Sequence, residues 1–265
     1  MEQINTNANT WLTYMKMNPR SNKRLFCFPY AGGSSIVFRK WPENLPENIE
    51  LAAIELPGRG RRLHEPLIKE IHPLVDKLTE DVYTQLKKPF YLFGHSMGAL
   101  IAFEFACALK EKYDLEPEHL YVSAHAAPQI CRKENPLHNL PRIEFIERLK
   151  ELNGIPKEVL ANEELMDLVI PILRADFTIC ETYRYEHQVV LSCPISVFGG
   201  LYDSSVKKAD LEPWADLTSS SFDLNLLPGD HFFISKCENL LLSLLTEKLN
   251  YGTGRALYGN RFRTN

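Results

Sequence analysis

The 265-residue chain has no uninterrupted apolar stretch approaching the ~18 residues that a membrane-spanning helix needs. Its polar start, "MEQINTNANTWLTYMKMNP", lacks the apolar core of a secretory leader, so a cytoplasmic, reducing location is the expectation. A C-x-x-C pair is also missing. The six cysteines (Cys27, Cys107, Cys131, Cys180, Cys193, Cys237) are scattered, several in apolar runs where a reduced thiol packs as a small hydrophobe. Neither a zinc framework nor a disulfide scaffold fits that spacing, and no metal site is expected. Positive charge is not in excess either: 30 Lys and Arg against 34 Asp and Glu give a formal charge of −4. With no zinc-finger, helix-turn-helix or RNP-type pattern, nucleic acid is set aside as a partner.

What is present is ordinary for a soluble α/β protein: 45% apolar and 24% charged residues, in a chain long enough to bury most of its apolar surface without staples. Strand-like and helix-like segments alternate. "RLFCFPY" (24–30) reads as a buried strand stopped by Pro29 and Gly32-Gly33, and "IVFRKWPENL" as a short helix. "IELAAIELPG" (49–58) is a second strand, and Leu74, Val75, Leu78, Val82 and Leu86 form one helical face over 71–86. "PFYLFGHS" is a third strand, followed by "MGALIAFEFACALKEKYD", a helix apolar nearly all round and therefore buried. Segments 119–128, 194–203 and 222–231 read as further strands, and "ENLLLSLLTEKLN" as a closing amphipathic helix. Near-continuous apolar strands alternating with helices imply a mainly parallel sheet covered on both faces. Between Pro128 and Cys193 the patterns are helical only, which reads as a helical lid inserted over the C-terminal edge of the sheet.

"GHSMG" (94–98) matches G-x-S-x-G with a strand before it and a helix directly after, the context that separates a nucleophile elbow from a chance match. Gly94 and Gly98 flank Ser96, where side chains would collide with neighbouring backbone. A serine hydroxyl is a weak nucleophile at neutral pH and needs a base within hydrogen-bond reach and a carboxylate to orient that base. In hydrolases of this topology the chain order is Ser, acid, His, each after a strand, which selects Asp203 after "PISVFGGLY" and His231 after "LNLLPGD". His95 is inside the elbow and by strand alternation points away from Ser96; His125 is read within a strand; His64 and His72 precede the nucleophile. Asp230 is adjacent to His231, and neighbouring side chains in extended backbone point apart, so Asp203 is preferred as the orienting acid. The oxyanion needs preorganised N–H donors: Met97 N–H is one, and "FPYAGGSS" offers Tyr30 or Ala31 as the other, with Ala31 preferred.

Five stretches in order, "RLFCFPYAGGSS", "ELPGRGRRLHEP", "FGHSMGALIAFE", "RADF" and "LPGDHFF", resemble the type II thioesterases of the α/β-hydrolase superfamily over residues 11–249. The resemblance implies an α/β-hydrolase core; with the patterns above the chain divides into a lead-in (1–23), the hydrolase core (24–128 and 193–250), a helical lid over 129–192 and, from its glycine-rich composition, a flexible tail over 251–265. It also implies hydrolysis of acyl groups from the 4′-phosphopantetheine arm of acyl or peptidyl carrier proteins, which regenerates stalled nonribosomal peptide or polyketide synthetase modules. No cofactor of its own is then needed, because phosphopantetheine arrives on the carrier, and a monomer is expected. Where the family commonly has two glycines before the histidine, this chain has Gly229-Asp230. Carrier proteins are generally acidic, so Arg59, Arg61 and Arg62 are candidate docking residues, a solvated loop being the plain alternative. The competing readings are a medium-chain thioesterase of fatty acid synthesis, a general carboxylesterase, lipase or peptidase with the same triad, and a non-catalytic hydrolase-fold binding module.

Overall fold

A computed structural model describes residues 10–130 and 136–251. Cys131 and all but the first residue of the tail expected over 251–265 lie outside the described residues. Seven strands form one sheet: β1 (Leu12–Lys16), β2 (Lys23–Phe28), β3 (Ile49–Ile54), β4 (Phe90–His95), β5 (His119–Ser123), β6 (Ile195–Gly200) and β7 (Phe222–Leu227). Their order is β1-β3-β2-β4-β5-β6-β7, parallel throughout except for β1, which pairs antiparallel with β3. The eight α-helices of the described residues are α1 (Ile71–Val82), α2 (Met97–Tyr113), α3 (Arg142–Glu151), α4 (Lys157–Leu160), α5 (Glu163–Thr182), α6 (Lys208–Leu211), α7 (Phe233–Lys236) and α8 (Glu238–Tyr251). This is the mainly parallel sheet flanked by helices that the alternating pattern predicts. None of these helices is long and apolar enough to cross a membrane.

The strands read as continuous apolar runs because both faces of the sheet are covered. Along β2 the pleat sends Phe26 and Phe28 to one core, with α1 and α2, and Leu25 and Cys27 to the other, with α8. In the second core Phe93 meets Trp41 and Phe38 edge-on, with ring centroids 4.9 and 6.2 Å away. Burying one such ring contributes roughly 1.5–3 kcal/mol. Every residue of α2 from Met97 to Leu109 is buried, and its polar last turn (Lys110, Lys112) ends on Asp114 in the left-handed region.

Several details differ from the sequence reading. The polar lead-in contains β1, and Trp11, just before it, is buried beneath the Arg62 guanidinium, 3.8 Å from the ring centroid. The expected short helix after β2 is two 3₁₀ turns, Ser35–Phe38 and Trp41–Glu43, with Pro42 in the first turn of the second. β5 stops at Ser123 because Ala124 takes φ +53°, so His125 stands in a loop rather than in the strand. Likewise β6 and β7 end before Asp203 and His231, leaving both on loops beyond the sheet.

Between β5 and β6 the described residues hold α3, α4, α5 and a 3₁₀ turn (Leu137–Asn139), which build a separate apolar cluster from Phe145, Leu149, Met166, Ile170 and Leu173. Helix α5 starts at Asn162, whose side chain caps Leu165 N–H, and carries Glu163 and Glu164 in its positive first turn. Its far end is tied to the core, since buried Glu104 of α2 accepts from Tyr183 Oη at 2.6 Å and lies 2.8 Å from His187 Nε2. Glu181 accepts the N–H groups of Leu137 and His138, closing the start of the insertion onto α5.

His119, at the start of β5, stacks on Tyr121 at 4.3 Å and lies 2.8 Å from Ser196 Oγ. Burial lowers its pKa to about 4, against the attraction of Asp223 and with a smaller contribution from Lys248. A depressed folded-state value means that this group's contribution is complete above the unfolded value of about 6.5 and is lost as pH falls toward 4. Unfolding free energy measured by urea titration should therefore fall between pH 6.5 and 5, with a slope from this group approaching about 1.4 kcal/mol per pH unit. His119→Gln, which can keep the Ser196 hydrogen bond without titrating, should show a shallower fall; an unchanged slope would exclude His119 as a contributor.

Candidate active site

The sheet places its loops before it places any functional side chain. From β2 the chain turns one way to β3 and then returns past β2 to β4, so the loops after β2 and β4 leave in opposite directions. In parallel sheets such a switch opens a crevice at the C-terminal strand ends. The loop after β2 carries Ala31, and β4 runs straight into the turn at Ser96.

Ser96 has φ +54° and ψ −122°, a conformation that costs on the order of 1–3 kcal/mol for a residue with a Cβ. The backbone around it explains the two glycines. A Cβ on Gly94 would fall 2.1 Å from Gly98 O, and one on Gly98 would fall 2.1 Å from Phe28 O, at the end of β2. The turn thus depends on direct backbone contact between β4, α2 and β2. Ser96 N–H donates to Ser123 O at 2.7 Å and Ser96 O accepts from Ala99 N–H at 2.9 Å, fixing the turn against β5 and α2. Between Tyr91 and Leu100 only Ser96 escapes full burial.

Ser96 Oγ is 2.9 Å from His231 Nε2, and His231 Nδ1 is 2.8 Å from Asp203 Oδ2. Burial alone would raise the Asp203 carboxyl, but the hydrogen bond and charge of His231, with the N–H groups of Ser205 and Val206, together hold it below its ordinary value. Asp203 is therefore ionised and acceptor-only at neutral pH, which makes His231 Nδ1 the donor and leaves Nε2 to accept the serine proton. Asp230 takes no part: its carboxylate lies 2.5 Å from Lys236 Nζ and accepts Phe232 N–H at 3.1 Å. The structure thus brings together Ser96, His231 and Asp203 and turns Asp230 to a surface ion pair.

Met97 N–H is the first of the unsatisfied donors at the N-terminus of α2, next to Ser96, where the helix dipole also favours negative charge. In the loop after β2, Gly33 N–H is used by Tyr30 O at 2.8 Å and Gly32 N–H by Asp176 Oδ2 at 2.7 Å. His95 is fully buried and points away from Ser96, but it is close to the site by another route: its Nε2 lies 2.9 Å from His231 O and its Nδ1 2.8 Å from Ser123 Oγ. Burial and the neighbouring His231 lower its pKa to about 3, so the ring is neutral. It donates from Nε2 to the His231 carbonyl and accepts the Ser123 hydroxyl proton at Nδ1. No sequence signal marks this support, because the contact spans β4 to the loop after β7.

The expected docking cluster is corrected in two of its three members. Arg59 is buried and paired bidentately with Asp176, at 2.7 Å for both contacts. Arg62 is also buried, stacked on Trp11 and bonded to Glu55 O and the Glu65 carboxylate. A buried guanidinium needs such partners in place of water, and with them two of the three arginines of "PGRGRR" face inward rather than forming a charged surface. Arg61 is exposed, although it donates to Leu12 O at 2.8 Å. Among the described residues no group of His, Cys, Asp or Glu is arranged to hold a metal ion.

Comparison with known proteins places this geometry. The thioesterase domain family matches residues 23–248. The gramicidin S biosynthesis protein GrsT of Aneurinibacillus migulanus is 39% identical over 243 residues, covering 91% of this chain and 94% of that protein. The medium-chain S-acyl fatty acid synthase thioesterase of Rattus norvegicus is 36% identical, over 86% and 88% of the two chains. The structure of BorB, the type II thioesterase from the borrelidin biosynthetic cluster, superposes with a TM-score of 0.83 at 31% identity, covering 90% of this chain and 97% of that one.

With Ser96 as the nucleophile, Ser96→Ala should lower turnover by on the order of 10⁶-fold. Turnover near the wild-type level would remove Ser96 from that role. Asp203→Asn should cost about 10⁴-fold by disturbing the His231 tautomer. Asp230→Asn, which breaks only an exposed ion pair, should stay within about fivefold of wild type. Steady-state kinetics on one thioester reads all three, and a larger loss in Asp230→Asn than in Asp203→Asn would reverse the assignment of the acid.

Proposed function

The chain belongs to the thioesterase domain family, with an α/β-hydrolase fold, and from that premise we propose that it hydrolyses acyl groups from the 4′-phosphopantetheine arm of carrier proteins, regenerating nonribosomal peptide or polyketide synthetase modules. The observation that carries the reading is the continuous hydrogen-bonded series Ser96–His231–Asp203 at the C-terminal edge of the sheet, in a chain related at 39% identity to a gramicidin S biosynthesis protein.

His231 Nε2 takes the Ser96 proton as Oγ attacks the thioester carbonyl, and Asp203 stabilises the imidazolium that forms. The oxyanion is received by Met97 N–H and Ala31 N–H. Collapse breaks the C–S bond and the departing pantetheine thiolate takes the proton held by His231, which returns the imidazole to its neutral form; because a thiolate leaves readily, that proton need not be transferred before the bond breaks, as it must in amide cleavage. Water then attacks the acyl-enzyme with His231 again as base, releasing the acid and restoring Ser96. Phosphopantetheine enters as part of the substrate, and the chain supplies no cofactor to the reaction.

The helical insertion acts as the lid of an acyl chamber. Support comes from two points where it reaches the site: a Cβ on Gly32, beside Ala31, would fall 2.6 Å from Leu173 of α5, and one on Gly154, in the turn between α3 and α4, would fall 2.5 Å from the ring of Phe232. Docking of an acidic carrier falls to Arg61, the exposed member of its cluster. A second reading, release of medium-chain acids during fatty acid synthesis, is favoured by the 36% identity to the rat medium-chain enzyme.

Intact-mass analysis of carrier proteins loaded with a series of acyl or aminoacyl groups should show the 4′-phosphopantetheine form returning on incubation with wild-type protein. Selective loss of medium-chain fatty acyl groups alone would support the second reading. Higher efficiency on a nitrophenyl ester than on any acyl-carrier would indicate a general esterase. Arg61→Glu should slow hydrolysis on the carrier while sparing a small-molecule thioester; equal losses on both would count against docking.

A further inference from the structure

The loop that holds Ala31 is gripped from two sides by buried carboxylates belonging to other parts of the chain. Glu55, beyond the end of β3, accepts Ser35 Oγ at 2.6 Å. Asp176, in the middle of α5, accepts Gly32 N–H at 2.7 Å through Oδ2. The same Oδ2 lies 2.7 Å from Arg59 Nη1, Oδ1 lies 2.7 Å from Arg59 Nη2, and Arg59 Nη1 also donates to Gly33 O at 3.2 Å. Asp176 and Arg59 are 1% and 6% exposed, so this pair is desolvated and its geometry is rigidly held.

We infer that Asp176, held in place by Arg59, is a positioning residue for the oxyanion hole: by fixing Gly32 N–H it sets the orientation of the peptide that follows Ala31, and with it the donor Ala31 N–H. Three observations join here. Gly32 has φ +75°, a conformation that glycine enters freely and leaves as freely, so the loop needs an outside tie to keep one arrangement. The tie is a charge-assisted hydrogen bond rather than a neutral one, which shortens and strengthens it. Its source is α5 of the insertion, so displacement of that helix would withdraw the carboxylate and release the donor loop. Lid position and oxyanion-hole geometry are thereby coupled. A donor shifted by about 1 Å can cost roughly 10²-fold in rate without weakening substrate binding, because its interaction with the oxyanion is made in the transition state.

The inference rests on the proposed serine-hydrolase chemistry, and two variants test it with the charge problem removed. Arg59→Met with Asp176→Leu takes away both charges and the Gly32 acceptor. Arg59→Met with Asp176→Asn takes away both charges but returns an acceptor to Gly32 N–H. Readouts are kcat and KM on a small acyl thioester, affinity for an acyl trifluoromethyl ketone whose serine adduct places an oxyanion in the hole, and thermal unfolding. The leucine variant should lose about 10²-fold in kcat and a matching factor in ketone affinity with little change in KM, and the asparagine variant should recover most of both. Wild-type ketone affinity in the folded leucine variant overturns the inference, as does an equal loss in both variants, which would make the pair a matter of packing. If the leucine variant does not fold, the asparagine variant decides: kcat and ketone affinity both near wild type support the inference, and loss of kcat with unchanged ketone affinity overturns it. Wild-type protein that neither turns over a thioester or nitrophenyl ester nor binds the ketone sinks the serine-hydrolase reading itself, and the inference with it.

Discussion

Contact between backbone and backbone at the glycines around Ser96 is the constraint on which the rest of the site depends. Because a Cβ at Gly98 would lie 2.1 Å from Phe28 O, α2 can start directly on the end of β2 only if nothing projects from that position. That approach brings the end of β2 and the start of the loop after it beside the N-terminus of α2. The strained serine is tolerated because the elements holding it are buried: α2 is enclosed through three turns and β4 along its whole length. Strain of a few kcal/mol at one residue is small against the packing of two such elements.

Around this fixed point the parallel sheet supplies the remaining groups from separate loops. Asp203 comes after β6 and His231 after β7, each a few residues beyond the last ladder pair. Their alignment relies on backbone more than on side-chain packing. Asp203 is pinned by Ser205 and Val206 N–H, and the His231 carbonyl is held by the neutral ring of His95, itself anchored to Ser123. One imidazole thus supports the site by staying uncharged in the interior, while the other is 18% exposed at its side chain and sits between Ser96 and Asp203.

The insertion follows different rules. Its helices have their own apolar cluster and meet the core both through apolar packing, as with Ile179, and through polar ties, among them Glu104 with Tyr183 and His187, and Arg59 with Asp176. Such ties carry direction as well as energy, since a bidentate guanidinium–carboxylate pair accepts a narrow range of geometries.

The strands were legible in the sequence because a parallel sheet covered on both faces demands uninterrupted apolar runs, and Ser96, Asp203 and His231 were legible because an elbow motif and chain order constrain them. β1 was not: an edge strand, "LTYMK", has too short and mixed a pattern to stand out from a polar lead-in. Arg59 and Arg62 read as surface charge because spacing along the chain does not reveal a partner 117 residues away or a ring 51 positions earlier. Asp176, in the "RADF" stretch, and His95, in the elbow, stood in motifs, but nothing along the chain tied either to its partners in the fold, for the same reason. Sequence by itself determined the alternation of elements, the elbow and the candidates Ser96, Asp203 and His231, since these follow from local sterics and from the chemistry a serine needs. Tertiary structure alone decided which charges are buried, that His95 supports the His231 carbonyl, and what holds the loop after β2, because each depends on contacts between segments that only folding brings within hydrogen-bond distance.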